Sequence, residues 1–150
     1  MTKFSSDVLS NKTEVIRTRL MRLKKYRSIT VEDYENNDDI RDIIERNLEI
    51  LIQAAVDINK FLLRRFSTLS PKELKNLKNS ESFLLLSQNG LLNETLANEL
   101  ASSGGFRNVL AHLYDEIIPE KVIEALQKAL EFYPDYLYEI QLRLDAFENE

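Results

Sequence analysis

The stretch from about residue 39 to residue 66 contains neither glycine nor proline, and it constrains the fold more than any other. Along it Ile40, Ile43, Ile44, Leu48, Leu51, Ile52, Ala55, Ile58 and Leu62 recur at the three-and-four spacing of one helix face. A helix with so long an apolar stripe has to bury it against other elements. The rest of the chain offers helices for the purpose. Only three glycines and three prolines occur in 150 residues, and so few breakers point to long helices rather than to a strand-rich fold. The length suits one domain, residues 1–150, with a substantial core.

The other segments read in the same way. Residues 6–27 form a first helix with Leu9, Val15, Ile16, Leu20 and Leu23 as its apolar stripe. Ser28 to Asn37 is a connection, extended around Ile29-Thr30-Val31, and Asp38 or Asp39 caps the long second helix. Ser70-Pro71 with Glu73 is a capping box that opens a third helix, which carries Leu74, Leu77, Phe83, Leu84 and Leu85 and stops at Asn89-Gly90. Asn93 caps a helix running to about Ile118, with Ser102-Ser103-Gly104-Gly105 inside it. Two adjacent glycines weaken a helix by roughly 1 kcal/mol each, so they mark a bend or a close approach of another backbone. Pro119 opens the last helix, which Pro134 kinks or restarts. The expected fold is all-α, a bundle of four main helices with additional short ones.

Composition excludes several chemistries. There is no cysteine and a single histidine, so no disulfide and no structural zinc site is expected. No run of eighteen apolar residues suits a membrane span, and the N-terminus lacks the apolar core of a signal peptide, so the expected location is cytoplasmic. The net charge of −5 is unevenly spread: residues 1–30 carry +6 and residues 115–150 carry −7. The basic segment is either a solvated helix face or a surface for phosphate backbones.

The lone histidine lies in Gly105-Phe106-Arg107-Asn108-Val109-Leu110-Ala111-His112-Leu113-Tyr114. At about 100° per residue, Phe106, Val109, Leu110, Leu113, Tyr114 and Ile117 fall on one arc, and Arg107, Asn108, Ala111, His112, Asp115 and Glu116 on the other. Asn108 and His112, four apart, stack and can bind one common group. An arginine can grip a phosphate through two N–H groups, and a histidine ordinarily titrates near neutral pH and can move a proton. That combination suits metal-independent RNA cleavage by the 2′-hydroxyl. One histidine per chain supplies only one proton-transfer group, and a two-fold dimer would supply the second. On the second helix Arg46, Gln53, Asp57 and Arg64 form a polar line, spaced seven, four and seven, that faces either solvent or a site. Two blander readings stand beside this one. The face is a phosphate-binding surface of a non-catalytic module that presents a nucleotide or a substrate to a partner, or the protein is a helical adaptor.

The segment Arg107 to Tyr114 resembles the arginine, four residues, histidine, one residue, tyrosine motif (R-x4-H-x-Y) of HEPN-domain proteins of the HepT-like group. The likeness extends to Ile44-Glu45-Arg46-Asn47-Leu48, to Gln53 through Ile58, to Phe83 through Leu86 with Gly90-Leu91-Leu92, and to Tyr114 through Ile117. It covers about residues 15–145. The resemblance implies a four-helix HEPN bundle that dimerises through the motif region. It implies an endoribonuclease toxin of a toxin–antitoxin pair, needing no cofactor, with Arg107 and His112 catalytic and Asn108, Asp57 and Arg46 supporting. Its partners would be RNA, a second copy, and an antitoxin of the minimal nucleotidyltransferase (MNT) class that transfers AMP from ATP to Tyr114. On a continued helix Tyr114 would lie within about 20° of Arg107, so AMP there would block the site. One departure is Phe61, where many relatives have a histidine four residues after the aspartate that corresponds to Asp57.

Overall fold

A computed structural model describes residues 3–148, and among them the chain is helical with no strand. Seven α-helices run in order: α1 (Lys3–Lys24), α2 (Val31–Glu35), α3 (Asp38–Phe66), α4 (Pro71–Lys75), α5 (Asn79–Gln88), α6 (Glu94–His112) and α7 (Pro119–Glu148). A 3-10 turn, Tyr114–Glu116, links the last two.

The helix α3 is the axis of the bundle. It packs against α1, α5, α6 and α7, while α1 also packs on α7 and α5 on α6. Ile44, Leu48, Leu51, Ile52, Ala55, Ile58 and Leu62 of the expected stripe are all fully or almost fully buried. Each such aliphatic side chain contributes about 1.5–3 kcal/mol. The two N-terminal members depart from the stripe: Ile40 is half-buried and Ile43 is 40% exposed. From α1 come Leu9, Ile16, Leu20 and Leu23, with Val15 only half-buried. From α7 come Val122, Leu126, Ala129, Tyr133, Tyr136, Ile140 and Leu144.

Local chemistry accounts for the ends. Asn37 accepts from the Ile40 N–H at the start of α3, so the cap is Asn37 and not either aspartate. Ser70 and Glu73 form the expected capping box, but the helix that it opens is one short turn, and α5 begins afresh at Asn79. A second capping box, Thr30 with Asp33, starts α2 inside the stretch read as extended. Thr30 itself is extended, with φ −91° and ψ 163° as a cap requires, and the β-branched Val31 already belongs to the helix. Pro134 does not restart a helix: α7 continues through it, with the residue on the exposed side.

A polar thread crosses the core. The Tyr136 hydroxyl donates to Asn59 Oδ1 at 2.5 Å and lies 3.1 Å from the Ala55 carbonyl oxygen. Asn59 Nδ2 donates to Ser82 Oγ at 3.0 Å, and Ser82 Oγ donates to the Asn79 carbonyl at 2.7 Å. All three side chains are fully buried, so each bond satisfies a group with no access to water. The thread ties α7 and α3 to the first turn of α5.

Candidate functional site

The helix that carries the motif is held at both ends. Asn93 caps α6 by accepting from the Leu96 N–H at 3.1 Å, and its own N–H donates to Glu139 of α7 at 2.9 Å. At the far end the helix stops at His112, six residues short of the expected Ile118. Leu113 leaves the helical region at φ −123°, ψ 52°, and its N–H closes the last turn on Val109. The cause lies downstream. Pro119 begins α7, a residue before proline avoids the α conformation, and α7 must run back along α6. The reversal takes up residues 113–118.

The glycine pair does not interrupt α6. A Cβ built on Gly104 would lie 2.7 Å from the carbonyl carbon of Asn79 and 2.7 Å from the nitrogen of Ser80. Gly104 is therefore where the first turn of α5 lies directly on α6, a close approach that only glycine permits. Gly105 faces open space. One turn beyond Gly104, Asn108 accepts at Oδ1 from Asn79 Nδ2 over 3.4 Å. One turn further, His112 is exposed, past the end of α5. The line 104, 108, 112 thus begins in a tight backbone contact and ends in solvent.

Arg107 lies beside this line and is half-buried. Its Nε is shielded from solvent and has no hydrogen-bond partner among the described residues. A buried guanidinium N–H without an acceptor costs about 1–3 kcal/mol or more. Arg107 and His112, five residues apart on a regular helix, diverge by about 140° and flank Asn108.

Asp57 and Arg46 have other partners within one chain. Asp57 accepts from Lys12 Nζ of α1 at 3.0 Å and from Gln53 Nε2 at 2.8 Å. Arg46 is 68% exposed and contacts Glu49 at 3.5 Å. Among the described residues no hydrogen bond or ion pair joins either one to Arg107, Asn108 or His112. The polar line of α3 runs along its seam with α1. Phe61, at the position where relatives carry a histidine, is half-buried there, lining a groove with Lys12, Asp57 and Arg64. The Tyr114 side chain lies outside the described residues. Its backbone begins the 3-10 turn, so it no longer follows the α6 wheel and the 20° relation to Arg107 does not hold.

Two groups that shape the site were not apparent from the sequence. Asn79 was unremarkable there, and its role rests on its contact with Gly104 and Asn108. The thread through Asn59 and Ser82 left one trace, a polar residue next to Ile58 on a core helix. Among the described residues no group of three or more His, Asp or Glu is placed to hold a metal ion.

Residues 16–140 match a protein-family model described as Ribonuclease HepT-like. The chain is 35% identical over 150 residues to a tRNA nuclease HepT of Aphanizomenon flos-aquae, covering 100% of this chain and 99% of that protein. It is 24% identical over 132 residues to an mRNA nuclease HepT of Shewanella oneidensis, covering 88% and 95%. Among solved structures it resembles a toxin–antitoxin with AMP-PNP, with a TM-score of 0.77 at 24% identity over 91% of this chain and 98% of that one. It also resembles the tri-AMPylated Shewanella oneidensis HEPN toxin in complex with MNT antitoxin, with a TM-score of 0.67 at 22% identity over the full length of both.

Proposed function

The chain belongs to the HepT-like ribonuclease family, and from that premise we propose that it is a metal-independent endoribonuclease toxin, neutralised when a partner nucleotidyltransferase attaches AMP to Tyr114. The observation that carries the catalytic half is the end of α6. There a half-buried arginine with an unpartnered Nε stands beside an exposed Asn108–His112 pair.

In this reading Arg107 binds a bridging phosphodiester through its N–H groups. His112 removes the proton of the 2′-hydroxyl, whose oxygen attacks phosphorus. The O2′–P bond forms, the P–O5′ bond breaks, and the leaving 5′-oxygen takes a proton from a general acid. The products are a 2′,3′-cyclic phosphate and a 5′-hydroxyl end. Arg107 stabilises the charge on the phosphorane. Asn108, oriented by Asn79, positions the phosphate next to the histidine. The general acid is the second chain's copy of His112, in a two-fold dimer. Two apolar side chains support a partner at this end: Leu113 is 42% exposed and Ile118 is 53% exposed, on either side of the 3-10 turn. Asp57 and Arg46 support the site across that dimer. RNA supplies its own nucleophile, so the reaction needs no metal.

The regulatory half rests on the place of Tyr114 in the chain, two residues after His112. Each AMP joined to its hydroxyl through a phosphodiester adds a negative charge and a nucleoside beside the phosphate-binding end of α6. Two measurements test the proposal. Purified protein should cut RNA in EDTA and leave cyclic-phosphate ends, and His112→Ala should lose the activity. Incubation with ATP and an MNT partner should add AMP masses to Tyr114, and equal labelling of Tyr114→Phe would refute that half.

A further inference from the structure

Arg19, Arg22 and Arg46 lie near one another where α1 meets α3: Arg19 is bonded to Asn47, the neighbour of Arg46, and Arg22 follows Arg19 by one turn of α1. Arg19 is fixed in place. Its Nη1 donates to Asn47 Oδ1 at 3.1 Å, and Asn47 Nδ2 is committed to the Ile43 carbonyl at 2.7 Å. Asn47 is only 5% exposed. With its amide nitrogen occupied, its oxygen has to face Arg19, so a buried side chain holds the guanidinium in one orientation. The free N–H groups remain available for a second acceptor.

Among the described residues no such acceptor is paired with Arg19 or Arg22. Among the described residues the only carboxylate paired with any of the three is Glu49, at 3.5 Å from Arg46 and one turn away on the same helix. Arg22 is exposed. The crowding registers on Arg19, whose guanidinium is held below its ordinary value first by burial and then by the charges of Arg22 and Arg46. It stays protonated. The same seam provides a carboxylate elsewhere: Lys12 has Asp57 at 3.0 Å. Arg19 and Arg22, kept beside Arg46 without a carboxylate of their own, are a cost to folding, and an anion would reverse its sign. Four further cations, Arg17, Lys24, Lys25 and Arg27, lie on the same stretch of sequence, but Arg17, Lys24 and Arg27 line a groove against α7, so the cluster is confined to Arg19, Arg22 and Arg46.

We propose that Arg19, Arg22 and Arg46 form a binding site for the phosphate backbone of single-stranded RNA, with Asn47 positioning the Arg19 fork. The choice of RNA over an acidic protein surface rests on the ribonuclease reading. Arg19 and Arg22 hold the strand away from Arg107 and His112, so they govern affinity and salt dependence, while Arg46 joins this site to the cleaving residues that it supports.

The test is fluorescence anisotropy with a labelled single-stranded RNA, in a His112→Ala background, over a series of salt concentrations. Each phosphate contact on a single strand contributes about 0.7 to the slope of log affinity against log salt. Arg19→Gln/Arg22→Gln should lower that slope by about 1.4 and weaken binding at low salt by about tenfold or more. Lys25→Gln/Arg27→Gln removes the same charge from the turn just after α1, outside the cluster, and should stay within about threefold of the parent. Asn47→Ala changes no charge and should still weaken binding, with circular dichroism confirming the fold. Equal losses in the two double variants would reduce the effect to net charge and overturn the site. So would unchanged RNA binding by Arg19→Gln/Arg22→Gln, including the case where those changes weaken association with an acidic protein partner instead. Cleavage is scored separately in protein that keeps His112. Cluster-dependent binding without cleavage retains the site and removes the nuclease reading, and cleavage with cluster-independent binding does the reverse.

Discussion

The two neighbouring glycines of α6 should respond to the same substitution with opposite signs. In Gly104→Ala the new methyl lies 2.7 Å from two backbone atoms of α5, Asn79 C and Ser80 N. Comfortable carbon contacts are about 3.5–4.0 Å, so α5 and α6 must separate by close to an ångström. The neighbours are backbone in the first turn of a helix and cannot rotate away. Overpacking of this kind costs about 1–3 kcal/mol, with this geometry near the top of the range. Alanine returns about 1 kcal/mol of helix propensity. The net effect is a loss of about 1–2 kcal/mol. In Gly105→Ala nothing lies within 4 Å of the new methyl, and only the propensity gain remains. At about 2–4 °C per kcal/mol for a chain of this size, thermal melts should show Gly104→Ala down by about 2–8 °C and Gly105→Ala up by about 2–4 °C. Gly104→Ala should also slow RNA cleavage, because Asn79 moves away from Asn108. A Gly104→Ala protein as stable as Gly105→Ala would refute the close-approach argument.

Other outcomes follow from the same structure. Tyr136→Phe leaves Asn59 Oδ1 buried without its donor and should cost about 1–3 kcal/mol by urea titration, whereas exposed Tyr138→Phe should cost almost nothing. Burial pushes the Tyr133 and Tyr136 hydroxyls well above their ordinary value near 10, with Tyr133 itself adding to the effect on Tyr136. A raised folded-state value leaves stability intact below about pH 10 and removes it above, as the unfolded chain ionises first. The two tyrosines together should steepen the alkaline loss by up to about 2.7 kcal/mol per pH unit, and a denaturation series from pH 8 to pH 12 on Tyr133→Phe should show about half of that contribution gone. Asn79→Ala should weaken cleavage about severalfold with little loss of stability, since its 3.4 Å bond to Asn108 is long and exposed.

The sequence was most legible where one physical effect dominates. The apolar period of α3 fixed its length to within a residue, because nothing competes with burial along so continuous a stripe. The Ser70–Glu73 box was readable for the same local reason, but its helix lasts one turn, since Asn76, Leu77 and Lys78 offer no continuation. Thr30–Asp33 is the same signal, and the β-branched neighbours obscured it. The end of α6 depended on where α7 must begin, a property of the packed bundle that no window of residues contains. Of the candidate site, the grouping of Arg107, Asn108 and His112 on one helix was legible from their spacing, and all three lie on the last turns of α6. Asn79 was not, since its contact depends on α5 crossing α6 at Gly104. Pro134 shows the converse: a strong local breaker is absorbed when α7 is held along its length by Val122, Leu126, Tyr133, Tyr136 and Ile140.

The central claim is that His112 and Arg107 cut RNA without a metal. Its most direct test incubates purified protein with end-labelled RNA in excess EDTA and compares wild type, His112→Ala and Arg107→Ala. The account predicts cleavage by the wild type, cyclic-phosphate ends, and losses of about 100-fold or more in both variants with their folds intact. Undiminished cleavage by His112→Ala, or cleavage by the wild type that EDTA abolishes and divalent cation restores, would contradict it.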